Sequence, residues 1–344
     1  MKDSIGRIAV VGGGSWGTAL ANLLGENGYG VDLWVYEPEV KEQIAQKREN
    51  LTFLPGFRLS ENLRPSNDLG AVVGGKQMVL MVTPSHLTRM IAGQLAGVLS
   101  PDATLVSATK GIENETLLTM SGVYKEVFSG RADKRYVVLS GPSFAREVAG
   151  RVPTLVAAAS RNAERAEMVQ KVFSSPYFRV YTNDDVIGVE LGGAVKNVIA
   201  LASGMIDGLG LGLNTRAAIM TRGLAEMRRL GVKMKADPRT FSGLSGVGDL
   251  ILTCTGDLSR NHTVGMKLGQ GMALDDILAE MKMVAEGVKT AKSAYNLSRK
   301  MGVEMPICHA IYQILYAGVS PQVASRELMG RDLKKEFHGE WGGK

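Results

Sequence analysis

The chain has 344 residues, of which 45% are hydrophobic and 22% charged, and its formal net charge is +6. This length favours two domains, and the composition is typical of a soluble globular protein. Aromatic residues make up 6% of the chain and basic residues form no long run, which argues against nucleic-acid binding, whereas the positive balance suits an anionic small molecule.

Cysteine content and apolar runs bear on the compartment. Cys254 and Cys308 are the only two cysteines and lie far apart, which argues against a disulfide framework or a zinc site and favours a reducing compartment. The first residues run directly into a strand pattern without a signal peptide. No apolar run approaches the ~20 residues that span a bilayer. We therefore expect a cytoplasmic protein without a metal ion and without membrane insertion.

The first half of the chain alternates short apolar runs with helical periods. The predicted strands are RIAVVG (7–12), VDLWV (31–35), MVLMVT (78–83), TLVSATKG (104–111), YVVLSG (136–141) and TLVAAAS (154–160). Fully apolar strands separated by helices indicate a parallel sheet covered on both faces. We predict a doubly wound, Rossmann-type α/β domain that binds a dinucleotide over residues 1–187.

The character of the sequence changes after this point. Residues 188–344 form long segments of helical period, rich in Ala, Leu, Met and Gly, and few strand candidates remain. Pro238, Pro306 and Pro321 mark boundaries between these segments. The sequence therefore predicts an all-helical second domain that carries substrate-binding and catalytic groups.

The first predicted strand leads into Gly12-x-Gly14-x-x-Gly17, directly before a helix pattern. In this spacing the first glycine allows a tight turn, the second lets the backbone approach a pyrophosphate, and the third lets helix and strand pack closely. The helix N-terminus adds free N–H groups and the positive end of its dipole. The strand before and the helix after favour dinucleotide binding over an ordinary glycine-rich turn.

The choice of cofactor depends on the end of the second strand, where an acid ~20 residues after the glycines would hold the ribose of NAD. Tyr36 stands there, and Glu37 comes one residue late. No arginine is present to bind a 2′-phosphate. The missing acid favours NADP, or tolerance of both NADP and NAD.

Polar residues follow several predicted strands, and ligands in such sheets bind outside the carboxyl ends of the strands. Lys110 comes directly before a glycine after the fourth strand. It can simply be solvated at the sheet rim, but at the cofactor edge a role in holding substrate is the better interpretation. Gly141 and Ser143, in GPSFA, suit either a structural turn or a binding loop.

The stretch VELGGAVKNVIALASGM (189–205) has the pattern of a buried helix interrupted by Lys196 and Asn197. A helical side chain leans over the preceding turn, which here holds Gly192 and Gly193, so we expect the ammonium to lie over bare backbone with space for a ligand. A lysine reaching the surface between helices would not explain the paired glycines. Burial would lower the lysine pKa from ~10.4 toward the range of a general base, and Asn197 can bond a substrate oxygen or a helix carbonyl.

A second glycine-rich segment, TFSGLSGVGDLILTCTGDLSRN (240–261), contains Asp249 and ends in Ser259, Arg260 and Asn261. Arginine offers a planar fork for phosphate oxygens, and Ser and Asn add neutral donors. Asp249 can accept a hydrogen bond from a substrate hydroxyl or orient the lysine ammonium. Each residue is also typical of a turn or helix cap, but together with the two lysines they predict a set of anion and hydroxyl contacts.

Six motifs in order resemble bacterial NAD(P)-dependent glycerol-3-phosphate dehydrogenases over nearly the whole chain: GGGSWGTALA, ATKGIE, LSGPSFAREV, ELGGAVKNVIALASGMIDGLGLGLNTRAAIMTRGLAEM, FSGLSGVGDLILTCTGDLSRN and VAEGVKTA. The resemblance implies reversible reduction of dihydroxyacetone phosphate to sn-glycerol 3-phosphate, at the entry to glycerophospholipid synthesis. It also implies a homodimer.

The resemblance further implies residue roles. Lys196 falls at the position of the catalytic proton acceptor, with Lys110 and Asn197 placed to stabilise the oxyanion. The cofactor positions fall on Ser15, Trp16, Tyr36, Lys110, Ala145, Arg260, Val284 and Glu286, beside the glycines of the loop. The substrate positions fall on Lys110, Gly141, Ser143, Lys196, Asp249, Ser259, Arg260 and Asn261. The family usually carries His or Arg where this chain has Tyr36, which leaves the NADP preference open.

Two alternatives remain at this level. A 3-hydroxyacid dehydrogenase would share the dinucleotide domain, the helical domain and the Lys-Asn pair, but would not need the cluster at residues 259–261. A non-catalytic NADPH sensor would keep the fold, but the intact Lys110, Lys196 and Asp249 argue against it.

Overall fold

The computed structural model describes residues 5–130, 133–281, 284–333 and 335–336. Its first half alternates strands and helices: β1 (Arg7–Val11), α1 (Ser15–Glu26), β2 (Gly30–Trp34), α2 (Pro38–Lys47), β3 (Leu63–Ser66), α3 (Leu69–Val73), β4 (Met78–Met81), α4 (Thr88–Leu95), β5 (Thr104–Ser107), α5 (Met120–Val127), β6 (Tyr136–Ser140), α6 (Ala145–Ala149), β7 (Thr154–Ala159), α7 (Ala163–Phe173) and β8 (Phe178–Asn183).

The second half is helical in the residues that are described. Its helices are α8 (Val186–Gly208), α9 (Gly212–Lys233), α10 (Asp249–Thr255), α11 (Arg260–Gly269), α12 (Leu274–Ala279), α13 (Glu286–Met301), α14 (Pro306–Tyr316) and α15 (Pro321–Met329). A 3₁₀ turn (Pro238–Ser242) and a π-helical turn (Leu244–Gly248) precede α10. The predicted fold class, a doubly wound sheet followed by a helical part, is therefore confirmed.

The eight strands form one sheet in the order β3-β2-β1-β4-β5-β6-β7-β8. The chain leaves β1 on one side and returns through β4 on the other, so the crevice between these strands is the switch point at which such sheets bind ligands. This strand order places the Gly12 loop and the segment after β4 side by side.

The sheet differs from the prediction in two respects. β7 runs antiparallel to β6, whereas a fully parallel sheet was predicted. The edge strands β3 and β8 were not predicted, because β3 is only the polar tetrapeptide LRPS and β8 alternates buried and exposed positions. Both edges lack the continuous apolar pattern that marks a strand buried on both faces.

Helix α8 is the centre of the helical half and contacts α9, α10, α11, α13 and α14. It is 23 residues long and apolar enough to cross a membrane, so the expectation that no apolar run reaches this length was wrong. However, 94% of its most apolar window is buried inside the protein, as in the core helix of a globular protein.

The first turns of α8 also pack against the sheet, because Val186 and Val189 belong to the same apolar cluster as strands β1, β4 and β5. One helix thus joins the two halves. The boundary between residues 187 and 188 stays a prediction.

Helices α8 and α11 approach each other at backbone distance. A Cβ atom added at Gly204 would collide with the carbonyl oxygen of His262, and one at Gly265 with that of Leu201. Glycine at both positions removes the side chains that would hold the helices apart. The close crossing holds the N-terminus of α11, with Arg260 and Asn261, near the middle of α8.

Candidate active site

The glycine loop between β1 and α1 has the geometry of a phosphate cradle. Gly12 has φ of 123°, and a Cβ there would meet the Val82 carbonyl oxygen at 2.5 Å. A Cβ at Gly14, in contrast, would have nothing within 4 Å, so the backbone is open on that side. Gly14 precedes α1, which has no side-chain cap and no acidic residue in its first turn. The loop therefore fits the pyrophosphate of a dinucleotide.

Other predicted cofactor residues surround this crevice at different depths. Tyr36, just beyond β2, is 76% exposed and meets the ring of Trp34 edge-on. Ser15 directs its hydroxyl to the carbonyl of Phe53 at 2.7 Å, and Trp16 packs against the core of the sheet domain. Ala145 begins the short helix α6.

Glu286 joins the two halves across the crevice. Its carboxylate accepts hydrogen bonds from the backbone N–H (3.2 Å) and the hydroxyl (2.6 Å) of Ser85, in the loop after β4. Burial raises the pKa of Glu286, and the bonds from Ser85 oppose this shift. Sequence reasoning from the residues alone gave no signal for this contact, because its partners are 201 positions apart.

Lys196, Asp249 and Lys110 form a charged row at the carboxyl end of β5 and β6. The Nζ of Lys196 donates to Oδ1 of Asp249, and the Nζ of Lys110 donates to Oδ2 at 2.7 Å. Lys110 also donates to the carbonyl of Gly141 at 3.1 Å. The Asp249 side chain is 1% exposed and that of Lys196 7%. A carboxylate that binds two ammonium groups fixes the position of both.

Burial lowers the pKa of Lys196 to about 7, because the ammonium loses its hydration. The negative charge of Asp249 opposes this shift, and the positive charge of Lys110 adds to it. A lysine with a pKa near neutrality can both donate and accept a proton at physiological pH.

The two glycines before Lys196 serve a purpose other than the predicted one. A Cβ at Gly192 would collide with the backbone carbonyl of Ser245, and a Cβ at Gly193 would come within 2.7 Å of the Ser140 hydroxyl and 3.5 Å of the Lys110 side chain. The expectation of ligand space over both glycines was therefore wrong. The glycines let the segment before Asp249 and the stem of Lys110 approach α8.

Asn197 and Asn261 form a second buried pair. Asn261 Nδ2 donates to Asn197 Oδ1 at 2.9 Å, and Asn261 Oδ1 accepts the backbone N–H of Gly287. Asn197 Nδ2 donates to the Gly193 carbonyl at 3.3 Å, which is the helix-carbonyl alternative of the sequence prediction. This pair ties α8, α11 and the start of α13 together.

The remaining predicted substrate residues lie at the start of α11 and in the loop after β6. Ser259 caps α11 by accepting the backbone N–H of His262 at 3.2 Å. The guanidinium of Arg260 donates to the carbonyl of Val284 at 2.8 Å. Ser143 donates to the Gly141 carbonyl at 2.9 Å, next to Lys110. Direct hydrogen bonds thus link five of the predicted residues: Ser143, Gly141, Lys110, Asp249 and Lys196.

Sequence reasoning missed Thr253. Its hydroxyl accepts a hydrogen bond from Lys196 Nζ at 2.8 Å and donates to the backbone carbonyl of Asp249 at 2.6 Å. The signal was a polar residue four positions after Asp249 in a mostly apolar helix, which places both on one face.

In the part of the chain that the structure describes, no three His, Cys, Asp or Glu side chains gather in a way that would hold a metal ion.

Comparison with protein families matches both halves of the chain. The family described as NAD-dependent glycerol-3-phosphate dehydrogenase N-terminus matches residues 7–166, and the corresponding C-terminus family matches residues 185–326. The chain is 57% identical over 332 residues to glycerol-3-phosphate dehydrogenase [NAD(P)+] of Syntrophobacter fumaroxidans, covering 96% of this chain and 98% of the relative. It is 58% identical over 330 residues to the protein of that name in Geobacter metallireducens, covering 96% and 98%.

A solved structure shows the same arrangement. The crystal structure of glycerol-3-phosphate dehydrogenase from Coxiella burnetii superposes with a TM-score of 0.91 at 37% identity, covering 95% of this chain and 99% of that one. Both halves of the molecule, and not the dinucleotide-binding half alone, are therefore shared with that protein.

Proposed function

Since the chain belongs to the NAD-dependent glycerol-3-phosphate dehydrogenase family, we propose that Lys196 exchanges the proton in the reaction of this enzyme. The enzyme is an NAD(P)-dependent oxidoreductase that reduces dihydroxyacetone phosphate reversibly to sn-glycerol 3-phosphate. Because both the N-terminal and the C-terminal family models match, over residues 7–166 and 185–326, this family assignment excludes the alternatives of a hydroxyacid dehydrogenase and of a non-catalytic sensor. The product of this reaction feeds glycerophospholipid synthesis.

The row Lys110–Asp249–Lys196, in which Asp249 and Lys196 are buried, carries the proposal. An ammonium group has three N–H donors, and two of those on Lys196 are directed at Asp249 and Thr253. The third would bind the oxygen of the substrate carbonyl. During reduction, Lys196 donates its proton to that oxygen, and during oxidation the neutral amine takes the hydroxyl proton.

The nicotinamide cofactor supplies the hydride when it is bound. The residues that would hold it are the glycine loop with Ser15 and Trp16, then Tyr36, Lys110, Ala145, Arg260, Val284 and Glu286. Backbone N–H groups at the start of α1 would bind the phosphates. The hydrogen bonds between Glu286 and Ser85 hold the start of α13 against the crevice.

Lys110 stabilises the negative charge that develops on the substrate oxygen. Its ammonium is held beside that of Lys196, because it donates to Oδ2 of the Asp249 carboxylate whose Oδ1 binds Lys196. Asn197 keeps one Nδ2 hydrogen for the same oxygen, because its other hydrogen binds the Gly193 carbonyl. Gly141 and Ser143 line the same side of the substrate.

Arg260 anchors the substrate phosphate, with Ser259 and Asn261 beside it. Its guanidinium uses one donor for the Val284 carbonyl, which leaves a fork for phosphate oxygens. The side chains of Ser259 and Asn261 already bind the protein. Their contribution to the phosphate is therefore the remaining N–H or O–H donor of each.

We place this enzyme in the cytoplasm as a homodimer, with the substrate domain from residue 188 onward. One observation supports the compartment and one supports the dimer. Cys254 and Cys308 are both buried and unpaired, as in a reducing compartment. Leu211 and Leu213, at the start of α9, are 43% and 69% exposed and offer apolar surface for a second copy.

A steady-state assay with dihydroxyacetone phosphate tests the proton-transfer role. The parent enzyme is expected to oxidise NADPH or NADH, and the Lys196→Ala variant to lose at least a thousandfold in kcat while its Kd for the reduced cofactor stays within about threefold. Turnover by the variant close to that of the parent would remove Lys196 from the mechanism. Activity of the parent on small hydroxyacids, and none on the phosphorylated ketone, would overturn the substrate assignment.

A further inference from the structure

Asn50 is a fully buried polar residue between α2 and β3, and it has no part in the site described above. Its side-chain amide donates to the carbonyl oxygen of Gly13 at 2.8 Å and to the hydroxyl of Thr18 at 2.9 Å. Its Oδ1 accepts the backbone N–H of Phe53 at 2.9 Å. Every polar atom of the side chain is thus engaged, with one contact on the glycine loop and one on the first turn of α1.

Thr18, in the first turn of α1, acts on the same carbonyl. Its side chain is buried, and its hydroxyl donates to the Gly13 oxygen at 3.1 Å while it accepts from Asn50. The Gly13 carbonyl therefore receives two side-chain donors, which hold it toward the protein interior. Two buried donors on one oxygen define its direction more firmly than a single bond.

The direction of this carbonyl determines that of the next N–H group. The peptide between Gly13 and Gly14 is trans, and in a trans peptide the C=O and the following N–H point in opposite directions. With the Gly13 oxygen held inward, the N–H of Gly14 points outward. Gly14 directly precedes the N-terminus of α1, and a Cβ built on it would have nothing within 4 Å, so no side chain crowds this part of the loop.

We propose that Asn50, together with Thr18, is a positioning residue for the cofactor phosphates. The pair holds the flexible Gly13–Gly14 peptide in the one orientation that turns the Gly14 N–H toward the pyrophosphate. The proposal rests on the dinucleotide-binding function proposed above and assigns a task to a residue outside the glycine motif. Glycines allow this backbone conformation, but they do not select it, so the selection has to come from neighbouring side chains.

The same segment provides a matched comparison. Asn62 also lies between α2 and β3, directly before the strand. Its side-chain amide donates to the Gly25 carbonyl at 2.9 Å, near the C-terminus of α1. Both asparagines donate to a glycine carbonyl, Asn50 to Gly13 in the loop before α1 and Asn62 to Gly25 near the end of α1. Only the bond from Asn50 reaches the phosphate loop.

The test compares Asn50→Ala, Thr18→Val and Asn62→Ala by direct fluorescence titration with NADPH and NADH. We expect Asn50→Ala and Thr18→Val to raise the Kd and the KM for the cofactor about tenfold, as the loss of one orienting hydrogen bond implies. Their kcat at saturating cofactor should stay within about twofold of the parent. Asn62→Ala should leave the cofactor Kd unchanged, with thermal unfolding measured for all three variants.

Each outcome decides the matter. Equal cofactor Kd values in Asn50→Ala, Thr18→Val and the parent would overturn the positioning role, as would an equal rise in Asn62→Ala. If Asn50→Ala unfolds, the isosteric Thr18→Val variant carries the test alone. A parent enzyme that binds neither cofactor would instead refute the proposed function, which separates that failure from the failure of this inference.

Discussion

Lys196 and Asp249 form an ion pair in which both side chains are almost completely shielded from solvent, with 7% and 1% of their side-chain surface exposed. An isolated lysine at this depth would be strongly driven to its neutral form. The carboxylate offsets part of that penalty, and the pKa of Lys196 falls to about 7. Proton exchange at this lysine is thus set by a balance of burial and charge.

The first prediction concerns pH. Reduction requires protonated Lys196, so its rate should fall as pH rises through about 7. Oxidation of sn-glycerol 3-phosphate requires the neutral amine, so its rate should rise through the same range. Measuring kcat from pH 5.5 to about 9.5 in both directions checks this. Profiles that rise or fall together in the two directions would contradict the assignment.

The second prediction concerns Asp249→Asn. Loss of the negative charge removes the effect that raises the pKa of Lys196, so the decline in reduction rate should move to lower pH. It also removes the group that positions both lysines, and kcat should fall at least tenfold. Asp133→Asn, which breaks a surface ion pair with Lys125, is the control and should leave kcat and the pH profile as in the parent. An unchanged pH profile in Asp249→Asn would disprove the coupling.

The third prediction concerns cofactor choice. Tyr36 is 76% exposed beyond β2, where an arginine would meet a 2′-phosphate. Tyr36→Arg should lower the KM for NADPH relative to that for NADH about tenfold, the size expected of a hydrogen bond between charged groups. Tyr181→Arg, at an exposed position on the edge strand β8, adds the same charge elsewhere. The same shift in both variants would mean that overall charge, and not position 36, sets the preference.

The fourth prediction concerns the crossing of α8 and α11. Gly265→Ala would drive a methyl group into the Leu201 carbonyl, and the free energy of unfolding should fall by about 1–3 kcal/mol. Gly93→Ala, in the last turn of α4 with nothing within 4 Å of its Cβ, should instead raise the free energy of unfolding by about 0.5–1 kcal/mol. Urea unfolding of both variants measures the difference. A neutral Gly265→Ala would show that the helices can move apart freely.

Parts of the site were predictable because their chemistry is local in the chain. The spacing of Gly12, Gly14 and Gly17 indicates the phosphate loop, and the charge of Lys196 in an apolar helix marks it as unusual. Thr253 was also within reach, since its spacing from Asp249 places both on one face of a helix. The contact between Glu286 and Ser85 was not, because nothing in either local pattern requires the other.

By itself, the sequence determined the alternation of strands and helices, the glycine loop and the residue types of the site, because periodicity and turn chemistry act between near neighbours. Tertiary structure alone decided that Asp249 binds both Lys196 and Lys110, which lie 53 and 139 positions away. It also decided that Gly192 and Gly193 admit protein instead of a ligand. Such contacts depend on how distant segments pack, and it is packing that removes water from Lys196 and thereby lowers its pKa.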